Sequence, residues 1–261
     1  MNKPILSVIL LRRLLAAFVV LFGGTPVGWA GAAQWSSTNI QYLYGNSYER
    51  IYFDGSGLDS TQESRSVVTL EHVNGWKYGD NFFFVDFTNP DNSNTQTSTA
   101  LYGEISPRLS FSKMSGADLS AGIIKDVLLT STLEAGNGFH NYLYGIAVDL
   151  DLPGVPVFQI NYYVRNEAGT DTGNQITLVW VKPFSLGGMD FVFEGFLDYA
   201  YGVDPSEDNL LTAPRLLFDL GKTWGAPGTL QVGVEYQIWR NKFGIDGIDE
   251  DVAQAMVKWI W

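Results

Sequence analysis

The segment Asp251–Trp261 alternates with a period of two: Ala253, Ala255, Val257, Trp259 and Trp261 are apolar, while Gln254, Met256 and Lys258 fall between them. Successive side chains of a strand point to opposite faces, so this spacing gives one apolar and one largely polar face. The apolar face suits lipid, or it suits the core of a soluble sheet at whose edge this strand lies. One segment does not separate the two.

The other end of the chain narrows the choice. Lys3, Arg12 and Arg13 precede the apolar run Leu14–Phe22, and Ala30-Gly31-Ala32 supplies small residues for cleavage. The run is short of the about 20 residues that span a bilayer as a helix. The pattern predicts an export signal over residues 1–32 and a mature β-domain over 33–261. Residues 1–32 carry three cations and no acid, so their removal takes the formal charge from −12 to −15. That charge argues against nucleic acid as a partner, because phosphate backbones need basic patches. The chain has no cysteine, which excludes a disulfide scaffold and a thiolate metal site. Aromatic residues make up 14% of it without further long apolar runs, as expected of membrane strands with interfacial girdles.

Twelve alternating segments run through the chain: 35–44, 66–75, 78–88, 99–112, 121–134, 139–150, 155–166, 175–184, 189–201, 213–221, 229–241 and 251–261. An even number suits an antiparallel barrel of the bacterial outer-membrane type. Connections at 75–78, 113–120, 153–154, 185–188 and 222–228 are mostly short. They alternate with generally longer polar ones at 45–65, 89–98, 167–174, 202–212 and 242–250, with a short exception at 135–138. Short periplasmic turns and long extracellular loops give this pattern. The long connections are acidic, with Glu49, Glu63, Glu134, Glu167 and Glu250 among many acids, opposed by Arg50, Arg65 and Lys242. Such a mouth disfavours anions. It also suits divalent cations bridging to lipopolysaccharide phosphates, or simple solvation.

If the apolar faces meet lipid, the opposite faces line a lumen. The lumen and solute-contact candidates are then the acids Glu71, Asp86, Glu104, Glu194, Asp198, Asp219 and Glu235, and the cations Arg108, Arg165, Arg215 and Lys258. With them come the aromatics Phe82, Phe84, Tyr102, Tyr163, Phe196 and Trp239. Lipid exposure of a charge at the midplane costs about 2–4 kcal/mol, so these charges face water or one another. Glu104 and Arg108 are about 13 Å apart along a strand at 3.3 Å per residue, so cross-strand partners are expected for both. Pro107 lacks a ladder donor, which predicts a local bulge or the end of the strand. The charges fit either a structural network or a solute path. The aromatics fit either interior filling or a stacking surface for a flat, hydroxylated solute.

The stretch Glu104-Ile-Ser-Pro107-Arg108-Leu-Ser110, continuing through Lys113, Gly116-Ala-Asp118-Leu119-Ser120-Ala-Gly122 and Lys125-Asp126, resembles the nucleoside-specific channel family, Tsx and its OmpK relatives. Asp126 departs conservatively from the Glu of that pattern. The run Val148-Asp-Leu-Asp-Leu-Pro153 resembles the family's next hairpin. The resemblance implies a twelve-stranded outer-membrane barrel that passes small solutes, nucleosides first among them, by passive diffusion. It is specific from about Ala100 to Tyr163 and transfers no binding residue beyond that core.

Trp259 and Trp261 are similar to the terminal signal that the barrel-assembly machinery reads. The expected surroundings are outer-membrane lipid and lipopolysaccharide, with phage or bacteriocin docking as an alternative role. Catalysis has no local motif. The two histidines, His72 and His140, have no metal spacing, and no metal or cofactor is expected. Deleting Trp261 is expected to lower the yield of heat-modifiable barrel in outer-membrane fractions, and an unchanged yield would remove its role as an assembly signal.

Overall fold

The alternating segments pair in chain order, and the last returns to pair with the first. A computed structural model describes residues 33–90, 100–167 and 172–261. The export signal expected over 1–32 and the loop acids Asp91 and Asp171 lie outside the described residues. The strands are β1 (Ala33–Phe53), β2 (Leu58–Trp76), β3 (Gly79–Pro90), β4 (Ala100–Ser110), β5 (Ile124–Gly136), β6 (Phe139–Leu150) and β7 (Val157–Glu167). They continue with β8 (Thr172–Leu186), β9 (Met189–Tyr201), β10 (Asn209–Thr212), β11 (Arg215–Asp219), β12 (Leu230–Arg240) and β13 (Glu250–Ile260). Segments β10 and β11 both lie between β9 and β12, so thirteen segments make twelve staves. Closure comes from β1 against β13, with Gln41 opposite Lys258 and Leu43 opposite Met256. A closed antiparallel barrel leaves no strand edge unpaired.

Burial is the reverse of a soluble sandwich. Tyr42, Tyr144, Ile146, Val234 and Trp259 are exposed on the outer face. Gln41, Arg108, Thr130, Asn161, Glu194 and Gln254 are buried on the inner one. Only a lipid surround makes that economical, because the exposed apolar face then needs no water. The barrel is therefore an integral membrane fold.

Four details differ from the sequence expectation. The loop over 45–65 is mostly ladder: β1 and β2 continue past a bulge at Gly45/Tyr48 and pair as far as Phe53 and Leu58. The turn is then only Asp54–Gly57, held by the Asp54 carboxylate, which accepts from the Ser56 and Gly57 amides at 2.7 and 3.0 Å. These hydrogen bonds keep the Asp54 carboxyl below its ordinary pKa. The fourth strand stops at Ser110, whose hydroxyl accepts from the Lys113 amide at 3.0 Å and caps the helix α1 (Phe111–Ser115).

The third difference is at Pro107, where no bulge forms. Ile105 opposes Leu133 and Arg108 opposes Thr130 in one unbroken register, and the ladder to β5 merely lapses at Ser106 and Pro107. Ser106 Oγ and Thr132 Oγ1 bridge the lapse at 2.9 Å. A missing donor removes one bond, and no extra residue is needed to accommodate it.

The fourth is the tenth stave, split at Ala213-Pro214 for the same reason. Its register to β9 and β12 is conserved across the split. Tyr236 still donates its amide to Pro214 O at 2.9 Å.

An apolar row holds part of the interior. Leu217 opposes Gly233, Gly233 opposes Met256, Met256 opposes Leu43, and Leu43 opposes Val67. Leu43, Leu217 and Met256 are fully buried and pack with Val67. Gly145 does similar service elsewhere. It lies between Thr130 and Tyr163 on one register row, and the Tyr163 hydroxyl reaches Thr130 at 3.0 Å. A Cβ on Gly145 would stand 1.9 Å from Tyr162 O. Gly145→Val is expected to destabilise the barrel by about 1–3 kcal/mol or more, read as a lower urea midpoint for loss of heat-modifiable mobility. A midpoint equal to wild type would show that the wall yields freely there.

Candidate functional site

The inner face is built from register rows that climb around the barrel. One crosses seven staves: Asn39, Glu71, Phe84, Glu104, Glu134, Asn141 and Glu167. It puts Glu104 directly opposite Glu134, an arrangement of like charges that destabilises a sheet unless something answers it. Arg165 answers on the Glu134 side. Its guanidinium donates to both Glu134 oxygens at 2.6 and 2.7 Å, to Glu167 at 2.5 Å and to Gln175 at 2.7 Å.

Two further networks fill other sectors. Arg108 donates to Asp80 at 2.7 and 2.8 Å and to Asp149 at 2.7 and 3.2 Å, a fork on each side of one buried guanidinium. Arg215 pairs with Glu235 at 2.5 Å and lies 3.6 Å from Glu194, which also takes the Lys258 ammonium at 2.7 Å. Gln254 donates to the second Glu235 oxygen at 2.7 Å. Glu104 and Arg108, four apart on one strand, share no contact of this kind. Arg108 takes cross-strand partners, as the spacing predicts, whereas Glu104 accepts from Tyr102 two positions away on its own strand.

Four acids on this face are held by neutral donors. Asn39 and Gln41 donate to Glu71 at 2.8 and 3.3 Å, and the Thr69 hydroxyl donates to Asp86 at 2.5 Å. Tyr102 donates to Glu104 at 2.6 Å, and Thr177 and Gln175 donate to Asp198 at 2.5 and 3.1 Å. Beside the first three runs an aromatic wall. Phe82 and Phe84 ring centres are 5.9 Å apart, Phe84 and Tyr102 5.8 Å, and Tyr102 and Phe139 6.2 Å.

All seventeen residues expected inside fall on inward register positions, but they do not form one site. Phe82, Phe84, Asp86, Tyr102 and Glu104 come together on β3 and β4, with Glu71 alongside on β2. Arg165 and Asp198 meet at Gln175, which bonds both. Tyr163 is buried against Thr130 and Thr132 and fills the interior. Asp219 accepts the Lys222 and Gly228 amides at 3.2 and 2.7 Å, so its carboxylate shapes a turn. Phe196 lies on the inner face of β9 opposite Val179, and Trp239 sits at the loop end of β12 with its ring 4.5 Å from Phe243.

Several inward residues escaped the sequence reading. Asp80 and Asp149 are the partners of Arg108. Glu63, Glu134 and Glu250 were placed among loop acids, yet all three are buried wall residues. Glu167 was placed there too, but it ends β7 as a partner of Arg165. Asp80 shares parity with Phe82, Phe84 and Asp86, so extending that strand phase by one step finds it. His140 stands on the outer face, opposite Ala135. His72 also faces outward, bonded to Thr38 at 2.7 Å and stacked on Phe83.

The model of a family described as "Nucleoside-specific channel-forming protein, Tsx" matches residues 38–259. The chain is 24% identical over 207 residues to outer membrane protein OmpK of Vibrio parahaemolyticus, covering 74% of this chain and 76% of the relative. It is 27% identical over 215 residues to OmpK of V. parahaemolyticus serotype O3:K6, covering 74% and 77%. Among solved structures, the KdgM porin in complex with disordered oligogalacturonate is similar in fold, with a TM-score of 0.50 at 8% identity over 85% of this chain and 98% of that one. A match across nearly the whole barrel settles the relationship: the chain belongs to the nucleoside-specific channel-forming (Tsx) family of outer-membrane channels.

Proposed function

We propose that this channel passes small neutral or cationic solutes passively and selectively, with nucleosides as its leading substrates. One juxtaposition carries the reading. The aromatic wall Phe82–Phe84–Tyr102 lies beside Glu71, Asp86 and Glu104, whose carboxylates are held by neutral donors. A base stacks on an aromatic face, and sugar hydroxyls donate to carboxylates. Stacking contributes about 1–3 kcal/mol per base in nucleic-acid systems. The rows also carry more acids than cations, an excess that Asp80, Glu134, Asp149 and Glu167 enlarge beyond the residues read from the sequence. Low-dielectric walls focus such a field and raise the local concentration of cations over anions. A polyanion such as the KdgM ligand does not suit this lumen. The exterior of exposed tyrosines and tryptophans fits lipid and lipopolysaccharide, and a phage-docking role rests on no particular observation.

Planar-bilayer conductance tests the substrate class. Nucleosides are expected to block ion current saturably at millimolar concentration, while simple sugars do not. Tyr102→Ala is expected to weaken the block by about fivefold to a hundredfold, the range that 1–3 kcal/mol spans. No block, or equal block by sugars, would reject nucleosides while leaving the channel itself intact.

Reversal potentials in a salt gradient test the charge reading. The unmodified channel is expected to prefer cations. Arg108→Gln should increase that preference, since it leaves Asp80 and Asp149 unanswered. It should also cost about 3–5 kcal/mol of stability, as breaking one side of a buried pair does. Anion preference, or no change on Arg108→Gln in a folded barrel, would contradict the assignment.

A further inference from the structure

The connection between β12 and β13 is tied inward by a charge that had open water available to it. Lys242 begins a single 3-10 turn, Lys242–Gly244, in this extracellular loop. Its side chain is only 2% exposed and that of Glu250 is 0% exposed. The Lys242 ammonium donates to the Glu250 carboxylate, and to Glu49 O on β1 at 3.2 Å. It also lies 5.0 Å from the Trp239 ring centre and 5.6 Å from that of Phe243. Glu250 in turn accepts from Gln237 and from the Glu49 amide, each at 2.5 Å. One ion pair thus joins the loop to the loop-side ends of β12 and β13 and to Glu49 of β1.

A lysine in an exposed loop has no need of this. Burial pushes the Lys242 ammonium down from its ordinary pKa, while Glu250 pulls it up. The backbone around it is also held in uncommon conformations. Asn241 has φ 47° and Phe243 has φ 58°, the left-handed region that a bulky aromatic rarely adopts. Such strain persists only where surrounding contacts fix it. The loop also carries its neighbour with it. Glu207 donates its amide to Gly244 O at 2.9 Å, and Asn241 Nδ2 donates to Asp208 O at 2.9 Å, joining it to the β9–β10 connection.

We infer that the buried Lys242–Glu250 pair is a latch that holds the β12–β13 loop, and with it the β9–β10 loop, folded in at the extracellular mouth, and that its release widens the channel entrance. The strained turn supplies the restoring tendency and the ion pair opposes it, so the loop has two arrangements and not a continuum. The inference concerns the mouth. It does not depend on which solute the lumen prefers.

Lys242→Met and Glu250→Gln separate the latch from the barrel. Retained heat-modifiable mobility shows which variants have folded, and Glu250→Gln keeps a hydrogen-bonding side chain if the methionine variant fails to assemble. Two readouts are taken on intact protein. Trypsin added to outer membranes is expected to cleave after Arg240 at least about tenfold faster in either folded variant, because the opened loop becomes accessible. Single-channel recordings in potassium chloride are expected to show a higher open-state conductance and fewer closures than wild type. Unchanged cleavage in both folded variants would overturn the latch. Faster cleavage with unchanged conductance would overturn its control of the entrance. Nucleoside block is not part of either readout, so failure of the substrate assignment and failure of the latch are distinguishable.

Discussion

The ladder between β1 and β13 is the constraint on which everything else depends. Once Leu43 lies opposite Met256, the period of two assigns every residue of the sheet to lipid or lumen. A slip of one residue would carry Lys258 and Gln254 into the bilayer and Trp259 into the interior. Exposing one charge to lipid costs a sizeable fraction of a domain's net stability, and a slip would expose several, so the polar rows fix the register as firmly as a packed core fixes a soluble sheet.

A barrel of twelve staves must also decide what to do with its inside. Much of it here is solid. The Leu217–Gly233–Met256–Leu43–Val67 row is an apolar patch, and the three arginine networks are tightly bonded. A buried ion pair adds little net stability over apolar packing, yet losing one partner is severe. Forked pairs such as Asp80–Arg108–Asp149 therefore act less as glue than as alignment. They fix which staves stand beside which and leave a charged surface behind. The part of β2, β3 and β4 beyond the Asp80–Arg108 pair has carboxylates bonded to neutral donors next to aromatic rings. It is the part of the wall with hydrogen-bonding capacity left for something that passes.

The sequence was most legible where a single physical rule governs many residues. Alternation placed Phe82, Glu104, Arg165, Glu194 and Lys258 on one side of the sheet, because side-chain parity is indifferent to tertiary detail. It was least legible at the ends of strands. Residues 45–65 contain Asn, Asp, Gly and Ser in the proportions of a loop, yet cross-strand pairing such as Arg50 opposite Thr61 carries the ladder through them. The turn itself is confined to Asp54–Gly57, where the Asp54 carboxylate holds the Ser56 and Gly57 amides. Glu134 and Glu250 were lost in the same way. A carboxylate near a predicted loop looks solvated until its partner is known: Arg165 is 31 residues from Glu134, and Lys242, though in the same connection as Glu250, reads as a solvated loop cation. Pro107 was misjudged for a different reason. A closed sheet with strong flanking register can skip a bond in place, a choice that local sequence does not reveal.

Polar residues in this barrel therefore serve two requirements that pull apart. A wall must satisfy its charges to be stable, and a channel must keep some of them available to be selective. The arginine networks meet the first requirement with short, forked, multiply bonded pairs. The aromatic sector meets the second with single bonds from Thr69, Tyr102, Asn39 and Gln41, each of which leaves acceptor capacity on its carboxylate. The division follows position along the staves and not the staves themselves. Arg108 stands on the same strand as Glu104 and is fully engaged, while Glu104, two positions along the same face beyond Ser106, has only the Tyr102 hydroxyl. Parity made both residues inward, and the register rows they stand on, Asp80 beside Arg108 and Phe84 beside Glu104, gave them opposite duties.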